Sequence, residues 1–125
     1  MAPLAGPQIT LMMLKAMTHD LSFRINQKMD ARMRVSQSSI FIGNQKAGLY
    51  QRLGQLQSGS GEANRINNYL AAIEAKERAI ASYEKQLDME ITNLQNQLKQ
   101  AQAREEAAQK MVDEGCKTIA GSMGR

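Results

Sequence analysis

The apolar positions in the second half of the chain recur every seven residues. Ile66, Ile73, Ile80, Leu87, Leu94, Ala101 and Ala108 form one series, and all are apolar. A second series stands four residues after each: Leu70, Glu77, Glu84, Ile91, Leu98, Glu105 and Val112. Alternating steps of four and three average about 3.5 residues per turn, the period of a left-handed coiled coil. No Pro or Gly interrupts the run before Gly115, so the pattern predicts one long amphipathic helix over 62–119 and a frayed tail at 120–125. Such a helix must bury its stripe against another helix.

The first half carries a looser version of the same pattern over 9–53. Leu14, Leu21, Val35, Ile42 and Leu49 keep the seven-residue spacing, with Lys28 in the missing slot. The companion series, Thr18, Ile25, Arg32, Ser39, Lys46 and Leu53, is half polar. Residues 1–8, with Pro3 and Pro7, read as a short irregular leader. The run Ser36-Gln-Ser-Ser39 lowers helix propensity. Gly43 and Gly48 each cost about 1 kcal/mol relative to Ala, and together these features predict a kink or break within 36–48.

Between the two patterns lies Gly54-Gln-Leu-Gln-Ser-Gly-Ser-Gly61, the composition of a loop. Ser60 is placed to cap the following helix, with Glu62 in its first turn favoured by the helix dipole. A short loop between long helices makes them antiparallel neighbours. The expected fold is all-α: a single-domain antiparallel helical hairpin of coiled-coil type with an N-terminal leader. Little core is available inside two helices, so oligomerisation is expected as well.

Composition agrees with an extended helical protein. The 125 residues include no Trp, three Tyr and two Phe, and helix formers dominate. The net charge of +4 is unevenly placed. Residues 1–60 hold seven Lys or Arg against two Asp, and residues 61–125 hold nine against ten acidic groups. Mutual attraction of the two halves is favoured over an anionic partner as the meaning of this asymmetry. Asp20 with Arg24, Asp30 with Arg34 and Asp113 with Lys117 are opposite charges four residues apart that support helix.

Candidate chemistry is sparse. His19 is the only histidine and has no second histidine to share a metal; Cys116 is the only cysteine, so no internal disulfide forms. Gly54, Gly59 and Gly61 follow no strand and precede no Gly-Lys-Ser/Thr, so they are not a phosphate loop. A thin hairpin has no deep cavity for a small-molecule substrate. The sequence therefore predicts a non-enzyme with no catalytic residue, metal or cofactor. Arg24, Lys28, Arg32 and Arg34 make a basic patch, but without interleaved aromatics or a zinc-ligand set nucleic acid is disfavoured. No stretch approaches the roughly 20 apolar residues of a membrane span, and the N-terminus lacks the pattern of a cleavable signal. The expected location is the cytoplasm, or outside it by a route without such a signal.

Two groups of residues stand out as functional candidates. Met29, Met33, Ile40, Phe41 and Ile42 exceed what one stripe can bury, which marks a surface for a further helix. For the nine Met residues in general, gap-filling in the helix packing is favoured over a promiscuous peptide-binding face. Lys28, Arg32, Glu77, Glu84 and Glu105 put charges at core-type positions, where they cost stability but set register. With the turn centred near residue 57, Glu84 faces the neighbourhood of Asp30, flanked by Lys28 and Arg32. Glu77 then faces residue 37 and finds no cation.

Met33-Arg-Val-Ser36, Gln51-Arg-Leu53, Leu56-Gln-Ser-Gly59 and Arg65-Ile-Asn67 together resemble the N-terminal region of flagellar axial proteins. That family similarly runs from Met-Arg-Ile-Ser through a helix to Leu-Ser-Ser-Gly, with Arg-Ile-Asn shortly after. The likeness covers about 35 residues; here the motif is internal, an insertion precedes Arg65, and the family's C-terminal helix signature is not recognisable. The resemblance implies a helical subunit of a bacterial appendage or secretion apparatus exported by a type III route, with no residue-level role carried over. The first expectation for function is thus a structural protein that associates with itself or with other helical proteins in a larger assembly. The alternatives are a small cytoplasmic adaptor or secretion chaperone that binds a partner helix, and a nucleic-acid-associated factor using the basic first helix.

Overall fold

The computed structural model describes residues 5–123. They form two helices, α1 (Ala5–Gly54) and α2 (Gly61–Met123), packed antiparallel as a hairpin. No strand occurs among the described residues. The chain is all-α, as the heptads predict.

Both helices run further than their sequence boundaries. α1 begins at Ala5, so residues 5–8 of the expected leader are helical; residues 1–4 lie outside the described residues. Pro7 stands in the first turn, where the missing N–H has no intrahelical partner to lose. α2 continues through Met123, so part of the expected frayed tail is helical, and 124–125 lie outside the described residues.

The predicted interruption within 36–48 is absent as a break, because α1 is helical throughout that segment. Weak propensity at Ser36–Ser39, Gly43 and Gly48 is offset by anchors within and just after the segment. Ile42, Lys46 and Leu49 are half-buried along the seam, and Lys46 is tied to α2 by ion pairs. Tertiary packing overrides local propensity here.

The heptad positions are the buried positions. Ile66, Leu70, Ile73, Leu87, Ala101, Ala108 and Val112 are buried on α2, and Ile80, Ile91, Leu94 and Leu98 are half-buried. Leu14, Leu21 and Ile25 are buried on α1. Leu87 is 1% exposed, the deepest large side chain among the described residues. Burying such a side chain fully stabilises by about 1.5–3 kcal/mol. Half-burial elsewhere follows from having one neighbouring helix, which leaves the edges of the seam open to water. Leu11 and Ala63 are also buried, and each stands one heptad before a seam position, Thr18 and Leu70 respectively. The same spacing, extended one repeat, would have found them.

The chain clusters into two compact units. One contains the turn and spans Lys28–Glu90; the other joins the remaining ends of the helices, through Gln27 and from Ile91. In the second unit Leu11, Leu14, Ala108 and Val112 form a buried cluster. The Thr18 hydroxyl there has two acceptors in reach, the Lys15 carbonyl at 2.8 Å and the Glu105 carboxylate at 3.3 Å.

The turn occupies residues 55–60. Gln55 N–H donates to Arg52 O at 3.1 Å and Leu56 N–H to Leu53 O at 3.2 Å, so the chain keeps winding past the end of α1 before reversing. Gly59 has φ of +80°, a left-handed conformation that glycine adopts without a Cβ clash. Ser60 then caps α2: its Oγ accepts from Ala63 N–H at 3.1 Å and its carbonyl from Asn64 N–H at 3.0 Å.

Candidate interaction surface

The register of the Lys28–Glu90 unit is written in ion pairs between the helices. Lys28 Nζ lies 2.8 Å from Glu90, Arg32 Nε donates to Asp88 at 2.9 Å and its Nη2 lies 3.5 Å from Glu84. Lys46 Nζ stands 3.0 Å from Glu77 and 3.9 Å from Glu74. Arg52 pairs with Glu62 beside the turn. In each of these pairs the cation is on α1 and the anion on α2. The charge asymmetry between the halves is thus spent largely inside this unit.

These pairs correct the expected register. Facing positions converge near residue 60, as Lys28 with Glu90 and Arg32 with Asp88 require, and not near 57. The reversal itself is held by turn hydrogen bonds on both sides, Gln55 and Leu56 to the end of α1 and Ser60 N–H to Gln57 O at 3.2 Å. Glu84 does meet Arg32, as the sequence suggests. Glu77, expected to face residue 37 without a cation, meets Lys46 instead.

The pairs perturb their own protonation in consistent directions. The hydrogen bond from Lys28, then that from Gln86, holds the Glu90 carboxyl below the usual carboxylate range. Glu90 in turn raises Lys28, chiefly through the same hydrogen bond. Glu77 raises Lys46, Asp88 raises Arg32, and Glu74, accepting from the Tyr50 hydroxyl at 2.9 Å, raises Tyr50. Of the five residues expected to set register, Lys28, Arg32, Glu77 and Glu84 take part in ion pairs between the helices, Glu105 accepts from the Thr18 hydroxyl, and all five are half-buried.

The five residues singled out as a surface do not share one place. Ile42 is half-buried on the seam of α1. Met29 stands in the same heptad column as Ser36, Gly43 and Tyr50, and Tyr50 bonds Glu74; this column therefore lies on the Glu74 flank. Met33 and Ile40, seven residues apart, extend that flank outward and are 56% and 66% exposed. Phe41, 63% exposed, lies on the opposite flank, one helical step of about 100° from Ile40. There it lines a groove with Arg34, Gln45 and Lys76, and a neighbouring groove continues past Tyr69 and Ala72. On the Glu74 flank a separate groove is lined by Ser39, Lys46, Glu74, Glu77, Arg78 and Glu84. Sequence periodicity, read for the seam alone, missed this division because it concerns the heptad columns outside the seam.

Seven of the methionines are not packing filler within the described residues. Met12, Met13, Met17, Met29, Met33, Met89 and Met111 are all exposed, because they fall outside the two seam series. Among the basic residues of α1, Arg24 pairs with Asp20 at 3.0 Å, and Lys28 and Arg32 are held by α2. The other two expected pairs along the helices, Asp30 with Arg34 and Asp113 with Lys117, do not form; Asp113 accepts instead from Gln109 at 3.1 Å.

His19 and Cys116 are both exposed. No group of three or more His, Cys, Asp or Glu among the described residues is arranged to hold a metal ion. Among the described residues no helix is long and apolar enough to cross a membrane. No protein-family model, no curated protein and no solved structure matches this chain.

Proposed function

We propose that this chain is a non-enzymatic assembly protein, a helical hairpin that associates with copies of itself as a subunit of a larger structure. The observation that carries this reading is the apolar surface outside the seam of the Lys28–Glu90 unit. Met29, Met33, Ile40 and Phe41 are each at least half exposed on α1 although the seam is already filled. Large apolar side chains gathered on one helix gain by leaving water, and another helix is the natural cover. The ion pairs fix the hairpin, and the side chains left outside it make the next contact. In its most specific form the larger structure is a bacterial secretion or surface appendage apparatus, and that form rests on the flagellar resemblance alone.

A second reading has its own support. Ile9, Met12, Met13 and Met17 expose a Met-rich face near the start of α1, suited to the irregular surface of a partner helix. An adaptor or secretion chaperone would use it. The nucleic-acid reading loses support, since three of its four cations are engaged by carboxylates.

Size-exclusion chromatography with light scattering on the purified chain tests the proposal. Self-association predicts a mass that rises with protein concentration. A clean monomer up to high concentration would overturn it, and a constant small oligomer that carries a different protein would favour the adaptor.

A further inference from the structure

The two flanks of the Lys28–Glu90 unit differ in a way that specifies how copies meet. Beside Phe41 the groove walls supply the cations Arg34 and Lys76 and no carboxylate. The groove on the other side supplies three carboxylates, Glu74, Glu77 and Glu84, against two cations, Lys46 and Arg78. Apolar side chains stand out on both flanks, Phe41 on the first and Met33 with Ile40 on the second.

Resting on the proposed self-association, we infer that copies join through unlike flanks, the Phe41 flank of one chain against the Met33 and Ile40 flank of the next. In that arrangement Arg34 and Lys76 approach the carboxylate-rich groove while the apolar side chains cover one another. A two-fold contact centred on either flank would instead set that flank against itself. The cations beside Phe41 would then face the same cations, and the carboxylates the same carboxylates, which costs association energy. A contact between unlike surfaces leaves one free copy of each surface at the two ends of any oligomer. It propagates, and it produces a ring or an open filament according to whether the rotation between neighbours closes. The occupant of each flank is a second copy of this chain.

Two blocking variants test this. Phe41→Glu disables the first flank, and Met33→Glu with Ile40→Glu disables the second. Glu is a strong helix former at exposed positions, so both variants keep the hairpin, and circular dichroism verifies that. The wild-type chain is expected to grow with concentration beyond a dimer and to shrink as salt is raised. Each variant alone is expected to run as a monomer. Their equimolar mixture is expected to form a species of twice the monomer mass that does not extend, since only one intact pair of flanks remains. If one variant is monomeric while the other still dimerises by itself, the contact is two-fold and the inference falls. If mixing restores nothing while the wild-type chain assembles, the flanks are not the interface and the inference falls as well. A wild-type chain that stays monomeric overturns the underlying proposal itself.

Discussion

Lys46 on α1 reaches Glu77 on α2 across 3.0 Å, at a position where each helix would otherwise carry an apolar seam residue. The pair stands within the seam, half-buried, and specifies which residues face each other. An apolar seam tolerates a slip by one heptad, because every seventh residue is alike. A charge pair within it does not.

Reversing this pair is therefore informative. Lys46→Glu should lower the melting temperature by placing a third carboxylate beside Glu74 and Glu77. Adding Glu77→Lys should recover part of the loss, since the pair is restored with its sign inverted. A double-mutant cycle by thermal denaturation reads the coupling; simple additivity of the two single changes would mean that the pair does not set register.

Truncation at Leu87 should be the costliest single change in the seam. It is 1% exposed, so Leu87→Ala removes buried methyl groups and leaves a gap that two helices close only partly. The expected loss is about 2–4 kcal/mol by urea denaturation. Met89→Ala, two residues away and exposed, should change stability little in the isolated hairpin.

The turn offers two milder tests. Ser60→Ala removes the cap on the Ala63 N–H and should cost about 1 kcal/mol. Gly59→Ala forces a Cβ into a left-handed conformation and should cost about 1–2 kcal/mol, although the space around it is open. Equal stability of the Gly59 variant would mean that the turn has rearranged.

Acid should loosen the hairpin through Glu90. Its carboxyl is held below its unfolded value, so its contribution is present above the unfolded value, near 4.5, and is lost as pH falls through the lower folded one. Denaturant midpoints measured from pH 7 down to pH 3 should fall, and Lys28→Gln should flatten part of that dependence. Lys28, Lys46 and Tyr50 have raised values, so their contributions are present below about pH 10 and fade above it. A profile that is flat on the acid side for the wild-type chain would contradict the Glu90 assignment.

By itself the sequence determined which residues are inside. A repeat of seven has one geometric solution for long helices, a shared stripe. Every one of the fourteen α2 positions in that repeat is buried or half-buried, and on α1 only Ser39 is exposed. The Gly-Ser loop and the Ser60 cap were equally readable, because turn and cap preferences are local. Three things needed the tertiary structure. The register shifted, since it depends on which α1 cations and α2 carboxylates meet across the seam, as Lys28 with Glu90 and Arg32 with Asp88 do. The continuity of α1 through 36–48 includes contacts with α2 such as Lys46 with Glu77, which local propensity does not contain. And Ile40 and Phe41, adjacent in the chain, part onto two flanks that differ in charge, because Lys76 on one and the carboxylates Glu74, Glu77 and Glu84 on the other come from α2, far away in sequence.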